Sequence, residues 1–342
     1  MKSKKRRFEN MKTVCCSILG FGAIGQGVAE VLLMKKEYLR SIGLEVKVVA
    51  VADSKGATVD PEGVNLADCL ARKRTSGTVA LESITGIEVI SSVDHKLVIE
   101  TTPTNIKTGG AGLQNMLAAF QTGKDVITSN KGPLTLKYRE LMETAKAAGS
   151  NFRFEATVGG SMPIINLANE VLAGNNVKSI KGILNGTCNY ILTRMLEERA
   201  SYSDILVESM QLGIAETDPT YDVEGIDTAC KLVILANAIF GLDVTYKDVE
   251  ITGITKVTPE ALEMAYERGH VIKLIGEVSR ERIHVAPRLV PINHPLAVGG
   301  TLNVASVDTE LAGEITITGK GAGPIETASA ILSDLVAIYG NQ

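Results

Sequence analysis

Thr13-Val-Cys-Cys-Ser-Ile-Leu-Gly20-Phe-Gly22-Ala-Ile-Gly25-Gln-Gly-Val28-Ala-Glu-Val-Leu-Leu33 is a β-branched apolar run, a glycine turn and a stretch with helical apolar spacing, in that order. The Gly20-x-Gly22-x-x-Gly25 spacing alone recurs by chance in a chain with 33 glycines. Its setting makes it specific. It follows a first strand and opens a helix, and a second apolar run, Val46 to Ala52, ends at an acidic residue, Asp53. This is the arrangement that binds a dinucleotide: small residues let backbone amides approach the pyrophosphate at a helix N-terminus, where partial positive charge favours anions. Gly20, Gly22, Ala23, Ile24 and Gly25 are therefore cofactor candidates, and the cofactor is NAD or NADP. Asp53 would accept hydrogen bonds from a ribose 2'-hydroxyl and repel a 2'-phosphate, which favours NAD. Lys55 could offset that repulsion or be an ordinary solvated loop residue, so the preference stays open.

Strand and helix continue to alternate beyond this unit. Val46 to Ala52 is apolar apart from Lys47, as expected of a strand covered on both faces of a parallel sheet. Leu97 to Glu100 reads as the next strand, ending in Thr101-Thr102-Pro103, and Leu113 to Phe120 as a helix. Asp125 to Thr128 is another strand, closed by Ser129-Asn130-Lys131, and Leu134 to Ala148 a helix stopping at Gly149. Thr101, Thr102, Ser129 and Lys131 all fall at carboxyl ends of strands, the edge where ligands bind in open α/β sheets. After Ser150 the pattern changes, with strands at Phe152 to Glu155, Val177 to Asn185, Ile283 to Val290 and Glu314 to Thr318 and long helices between. The expectation is an α/β chain: a Rossmann-type parallel sheet over 11–149 and 319–342, and an α+β substrate domain with an open sheet over 150–318. Gly319-Lys-Gly321-Ala-Gly323-Pro, before a helix from Ile325 to Tyr339, returns the chain to the cofactor crevice.

The 342 residues are enough for two cores, and the make-up is that of a globular protein, 45% hydrophobic and 22% charged. A net charge of -4 gives no electrostatic reason to expect nucleic acid as a partner. No apolar run reaches the roughly 18 to 20 residues of a membrane span. Five scattered cysteines, without a Cys-x-x-Cys pair, suggest neither a disulfide framework nor a zinc site, and a reducing cytoplasm fits best. Residues 1–10, carrying Lys-Ser-Lys-Lys-Arg-Arg, read as a disordered basic tail, with Met11 a candidate natural start.

The chemistry concentrates in Glu216-Thr-Asp-Pro-Thr-Tyr-Asp222-Val-Glu-Gly-Ile-Asp227-Thr-Ala-Cys-Lys231. Leu-Val-Ile-Leu-Ala-Asn-Ala-Ile-Phe follows, apolar on nearly every side, so the helix carrying Lys231 should be interior. On an exposed helix the i, i+4 pair Asp227–Lys231 would add only about 0.3 to 0.5 kcal/mol. In a buried helix, desolvation and carboxylates act on a lysine in opposite directions, which suits a donor that moves a proton to or from an alcohol. Glu155-Ala-Thr-Val158-Gly-Gly160-Ser-Met162-Pro sets an acidic residue before a flexible turn. It can aim carbonyls at a hard cation or simply lead a strand into a helix. Cys188, at the helix entry after Asn185-Gly-Thr, is the seed of a rival chemistry, covalent aldehyde oxidation through a thiolate.

These pieces together resemble homoserine dehydrogenases, from Val14 to Ala337. The likeness rests on residues 20–25, Ser129-Asn130-Lys131, 155–163, Asn185-Gly186-Thr187 and above all Glu216 to Lys231. The resemblance implies that Lys231 is the acid/base, that Glu216 and Asp227 hold the substrate amino and hydroxyl groups, and that Asp222 belongs to the same motif. It further implies substrate contacts at Gly186 and Thr187, an active-site role for Lys131, and Gly323 beside the cofactor. Glu155, Val158, Gly160 and Met162 would hold a monovalent cation, usually sodium. The implied reaction interconverts L-aspartate 4-semialdehyde and L-homoserine with NAD(P)H, in a homodimer formed through the substrate domain.

Overall fold

The computed structural model describes residues 11–340; the expected basic tail lies outside them. The described chain forms two compact units, one running to Thr157 and resuming at Gly323, the other covering Val158–Ala322. Among the described residues no helix is long and apolar enough to cross a membrane.

In the first unit a six-stranded sheet has the order β3-β2-β1-β4-β5-β6, with β1 Lys12–Leu19, β2 Leu44–Asp53, β3 Gly56–Val59, β4 Leu97–Glu100, β5 Asp125–Thr128 and β6 Phe152–Arg153. All neighbours are parallel except β2 and β3, a hairpin closed by Ser54 and Lys55. Every residue of β4 and β5 is buried, which explains why their apolar residues are consecutive rather than alternating. The strand order reverses between β1 and β4, so the ends of these two strands flank a switch point. Phe152–Arg153, expected to open the second domain, instead pairs with β5 and closes this sheet. The helix Pro324–Tyr339 returns to the first unit, and its Pro324 carbonyl lies where a Cβ on Gly27 would sit, 2.4 Å away.

The second unit is an open six-stranded sheet in the order β12-β11-β7-β9-β10-β8. Its strands are β7 Val177–Ile183, β8 Glu250–Ile251, β9 His270–Ser279, β10 Ile283–Pro291, β11 Leu302–Thr309 and β12 Glu314–Lys320. Neighbours are antiparallel apart from β8 and β10. β8, β9 and β11 are additions to the strands expected from sequence. The helix Ile226–Phe240 packs on β9 and β10, and twelve of its residues are buried, including Asp227 and Lys231. Glycines set its bounds: Gly225 caps the start at φ 81° and Gly241 the end at φ 64°. Gly276 on β9 sets its depth, since a Cβ there would meet Thr228 Cγ2 at 2.7 Å and Leu232 at 3.2 Å.

Gly276→Val should therefore force the helix off the sheet and cost about 1–3 kcal/mol of stability through overpacking. Thermal unfolding of the variant measures this, and an unchanged midpoint would show that the helix does not rest on that glycine.

Candidate active site

The glycine turn of the first unit has the features a dinucleotide needs. Gly20 adopts φ 96°, and a Cβ there would lie 2.5 Å from the Thr101 backbone. A Cβ on Gly25 would lie 2.0 Å from the Gly20 carbonyl oxygen. Both glycines are demanded by close packing. Gly22 is different: nothing lies within 4 Å of the position its Cβ would take, and it caps the helix Ala23–Ser41 with no side chain bonded to the first turn. The leading amides, those of Ala23, Ile24 and Gly25 among them, have no intrahelical acceptor and suit a pyrophosphate. The residues fit the group.

The β4 and β5 ends beside this turn are tied together by one buried carboxylate. Glu100, fully buried, accepts from the Thr102 amide at 3.0 Å, from the Thr102 hydroxyl and from the Thr128 hydroxyl at 3.2 Å. Asn130 donates to the Thr102 carbonyl at 3.1 Å and accepts from the Gly132 amide at 3.2 Å, so it caps the helix Lys131–Ala147. Lys131 is thus the first residue of that helix rather than part of a loop before it. The Thr101 hydroxyl donates to the Gly20 carbonyl at 2.6 Å, joining β4 to the glycine turn, and the Ser129 amide donates to the Glu100 carbonyl at 3.3 Å. Asp53, at the end of β2, is enclosed: Lys73 Nζ donates to it at 2.6 Å, the Val79 amide at 2.9 Å, the Lys55 amide at 2.9 Å and the Thr78 hydroxyl at 3.0 Å. Gly323, at φ 132°, caps Pro324–Tyr339.

In the second unit the acidic motif and its lysine converge. Lys231 Nζ donates to Asp227 Oδ2 at 2.6 Å and to the Leu184 carbonyl at 2.5 Å. The side chains of the pair are 8% and 6% exposed, so the weak surface ion pair is excluded. The hub is Asn185, whose amide donates to Asp222 Oδ1 at 2.7 Å and to Asp227 Oδ2 at 3.0 Å. Its Oδ1 accepts from the Cys188 amide at 2.8 Å and caps the helix Gly186–Glu198. Sequence reading passed over Asn185 as a site residue; an Asn directly before Gly at a helix entry was the signal. A second buried amine, Lys273 on β9, donates to Asn189 at 2.8 Å and Thr193 at 2.9 Å, bracing the same helix, and burial pushes it down to about 8. Two carboxylates and one ammonium leave the cluster with a negative charge, and Lys231 keeps a third N–H for an incoming oxygen.

Other expected residues lie around this cluster or apart from it. The Thr187 hydroxyl donates to the Ile214 carbonyl at 3.1 Å, and Gly186 admits no side chain, since a Cβ would meet the Thr301 carbonyl at 2.7 Å. Glu216 is exposed on the loop before Pro219. Cys188 is fully buried, its thiol donates to the Asp222 carbonyl at 3.1 Å, and burial with Asp222 and Asp227 pushes its pKa well above the ordinary value. Glu155 is buried and ends the first unit's sheet region, with its amide donating to Asp334 at 3.0 Å. Gly160, at φ 60°, lies against the Gly321 backbone, and the buried Met162 lies against Gly319.

A model of the homoserine dehydrogenase NAD-binding domain matches residues 20–155, and one of homoserine dehydrogenase matches residues 163–336. The chain belongs to the homoserine dehydrogenase family. The homoserine dehydrogenase of Methanocaldococcus jannaschii is 53% identical over 95% of this chain and 98% of its own. A solved chain from Archaeoglobus fulgidus superposes with a TM-score of 0.91 at 50% identity, covering 96% of this chain and all of that one. A hyperthermophilic archaeal homoserine dehydrogenase in complex with NADPH superposes at 0.85, with 29% identity over 96% and 99% of the two chains. This chain is an NAD(P)-dependent oxidoreductase with a Rossmann-type domain and a second sheet domain.

Burial pushes Glu100 up to about 7, against hydrogen bonds from Thr102, Asn130 and Thr128 that favour its charged form. The folded state therefore holds this proton where the unfolded chain has released it, and stability falls as pH rises from the unfolded value through about 7. Glu100→Gln keeps an acceptor for the Thr102 amide and cannot titrate, so its melting temperature should gain on the wild type from pH 5 to pH 8. An offset that is the same at both pH values would contradict this.

Proposed function

We propose that this dehydrogenase interconverts L-homoserine and L-aspartate 4-semialdehyde, in the route to threonine and methionine, with Lys231 as the acid/base. The observation that carries the reading is the buried Lys231–Asp227 pair, held by Asn185 and the Leu184 carbonyl. When bound, the dinucleotide supplies or accepts the hydride at the substrate carbon. In reduction, the Lys231 ammonium gives a proton to the developing alkoxide; in oxidation, the neutral amine takes it from the alcohol. Asp227 fixes the amine's direction and binds the substrate hydroxyl, and Asp222, held by the same amide, adds negative charge that favours the substrate ammonium. Glu216 is assigned to that ammonium as well. The first amides of Gly186–Glu198, at Gly186 and Thr187, suit the substrate carboxylate. Lys131 adds positive charge near the reacting oxygen. We place the enzyme in the cytoplasm, as a homodimer.

The thiol chemistry of a semialdehyde oxidation is disfavoured by the state of Cys188. A buried thiol beside two carboxylates resists ionisation, and the thiolate is the nucleophile. Glu155 and the carbonyls of Val158, Gly160 and Met162 are hard oxygen donors that suit sodium, and the positive φ of Gly159 and Gly160 lets the chain turn there.

Assayed with homoserine and each cofactor, the wild type should reduce NAD(P), and Lys231→Ala should lower kcat about a hundredfold or more with cofactor affinity retained. Cys188→Ser should keep turnover; loss of turnover in Cys188→Ser with Lys231→Ala still active would sink the acid/base reading. Replacing sodium by a bulky organic cation should lower the melting temperature of the wild type and leave that of Glu155→Ala unmoved, and an equal response of both would remove the cation from this loop.

A further inference from the structure

Asn303, the second residue of β11, is fully buried, and neither its Oδ1 nor its Nδ2 has a hydrogen-bond partner among the described residues. It is the one described residue that strands two side-chain atoms in this way. A buried amide without partners bears the full desolvation cost of both its groups. Folded chains seldom keep such a group unless a functional arrangement supplies its partners.

Two backbone segments close on this amide. A Cβ on Gly321, the first residue beyond β12, would fall 1.8 Å from Nδ2 and 2.6 Å from Oδ1, so the amide lies against the Gly321 backbone. A Cβ on Gly186, the first residue of the helix Gly186–Glu198, would come within 3.7 Å of Oδ1. That helix is fastened to β11, because the Asn189 side chain donates to the Leu302 carbonyl at 2.9 Å and Gly186 packs on the Thr301 carbonyl. Gly321 has no side chain to anchor it and lies just past Lys320, where pairing between β12 and β11 ends. Of the parts that meet at Asn303, the glycine turn is therefore the one that can adjust. A small shift of its backbone would bring an N–H or a carbonyl into line with the amide.

We propose that Asn303 is a positioning residue of the dehydrogenase, whose amide takes its missing partners from the Gly321 backbone when substrate seats on the first turn of Gly186–Glu198, and so fixes the glycine turn beside that helix. This rests on the reading of the Gly186 and Thr187 amides as the site of the substrate carboxylate. Asn303 is buried beneath that site and acts through Gly321 rather than by touching the substrate. A side chain that is better satisfied in the substrate-bound arrangement shifts the chain toward it, and substrate affinity rises accordingly.

The test is steady-state kinetics with varied L-homoserine on the wild type and Asn303→Ala, with a melting curve of each. The variant removes both stranded groups, and their relief offsets the lost packing, so its melting temperature should stay within about 3 °C of the wild type. Its KM for L-homoserine should rise at least about tenfold with kcat within about threefold, the pattern of binding lost equally before and at the transition state. Affinity for NADPH or NADH, read by calorimetry, should change less than about twofold, since the dinucleotide does not seat on that helix. Asn303→Asp keeps the shape and an acceptor but loses the donor, and should raise KM as well. An unchanged KM in both variants, or a fall in melting temperature and kcat with KM unmoved, would overturn the proposal and make Asn303 a packing residue. If Asn303→Ala does not fold, Asn303→Asp decides by the same KM criterion. A wild type that cannot oxidise L-homoserine would overturn the substrate reading and this proposal with it, whereas every other result bears on Asn303 alone.

Discussion

The ion pair between Lys231 and Asp227 is the constraint around which the second unit is arranged. Burying two charges is costly, and removing one partner of such a pair costs about 3–5 kcal/mol because the other charge is left without compensation. The pair is tolerable here because it is hydrogen-bonded further, by the Leu184 carbonyl on the ammonium and by the Asn185 amide on the carboxylate. Both of those residues lie immediately after β7. The apolar run from Leu232 to Ala236 then holds the charged first turns in the interior, so the hydrophobic continuation of the helix keeps its polar start dry.

That arrangement ties function to sheet geometry. Asn185 caps one helix while its amide bridges Asp222 and Asp227, so the helix with the candidate carboxylate-binding amides and the helix with the lysine share a single side chain. Lys273 adds a second tie between Gly186–Glu198 and β9, the strand on which the lysine helix rests. In the first unit Glu100 plays the equivalent part, with one carboxylate fixing the ends of β4 and β5 where the strand order reverses. Both units place an amide-bearing residue, Asn185 or Asn130, at a helix cap and spend its remaining hydrogen bonds on neighbouring loops.

The parts of this legible in the sequence were those governed by local spacing. Gly20, Gly22 and Gly25 between a strand and a helix announce the turn because Gly20 and Gly25 each answer to a close backbone contact while Gly22 leaves space at the helix start. The all-round apolar helix after Lys231 announces its own burial. What escaped depended on partners distant in the chain. Phe152–Arg153 could pair with β5 only once the parallel sheet existed, and β9 and β11 acquire their identity from antiparallel neighbours far along the chain. The motif marks Asp53 without showing what surrounds it. The donors that surround it, Lys73, Thr78 and Val79, come from twenty and more residues further on. Asn185 was quoted only as part of a motif, since its two acidic partners lie 37 and 42 residues away.

Charge rather than position separates the two chemistries that the sequence left open. Asp222 and Asp227 both act on Cys188, and Asp227 is also the partner of Lys231. On Lys231, Asp227 acts as a hydrogen-bond acceptor at 2.6 Å. Next to the thiol the two carboxylates disfavour the ionised form, and burial adds to the effect. The acids therefore disarm the sulfur, while one of them holds the amine in place. The Cys188 thiol is further occupied as a donor to the Asp222 carbonyl, and its backbone amide completes the Asn185 cap. Cys188 thus supports the cluster that holds Lys231, and burial beside two carboxylates works against an acyl-forming nucleophile at this point.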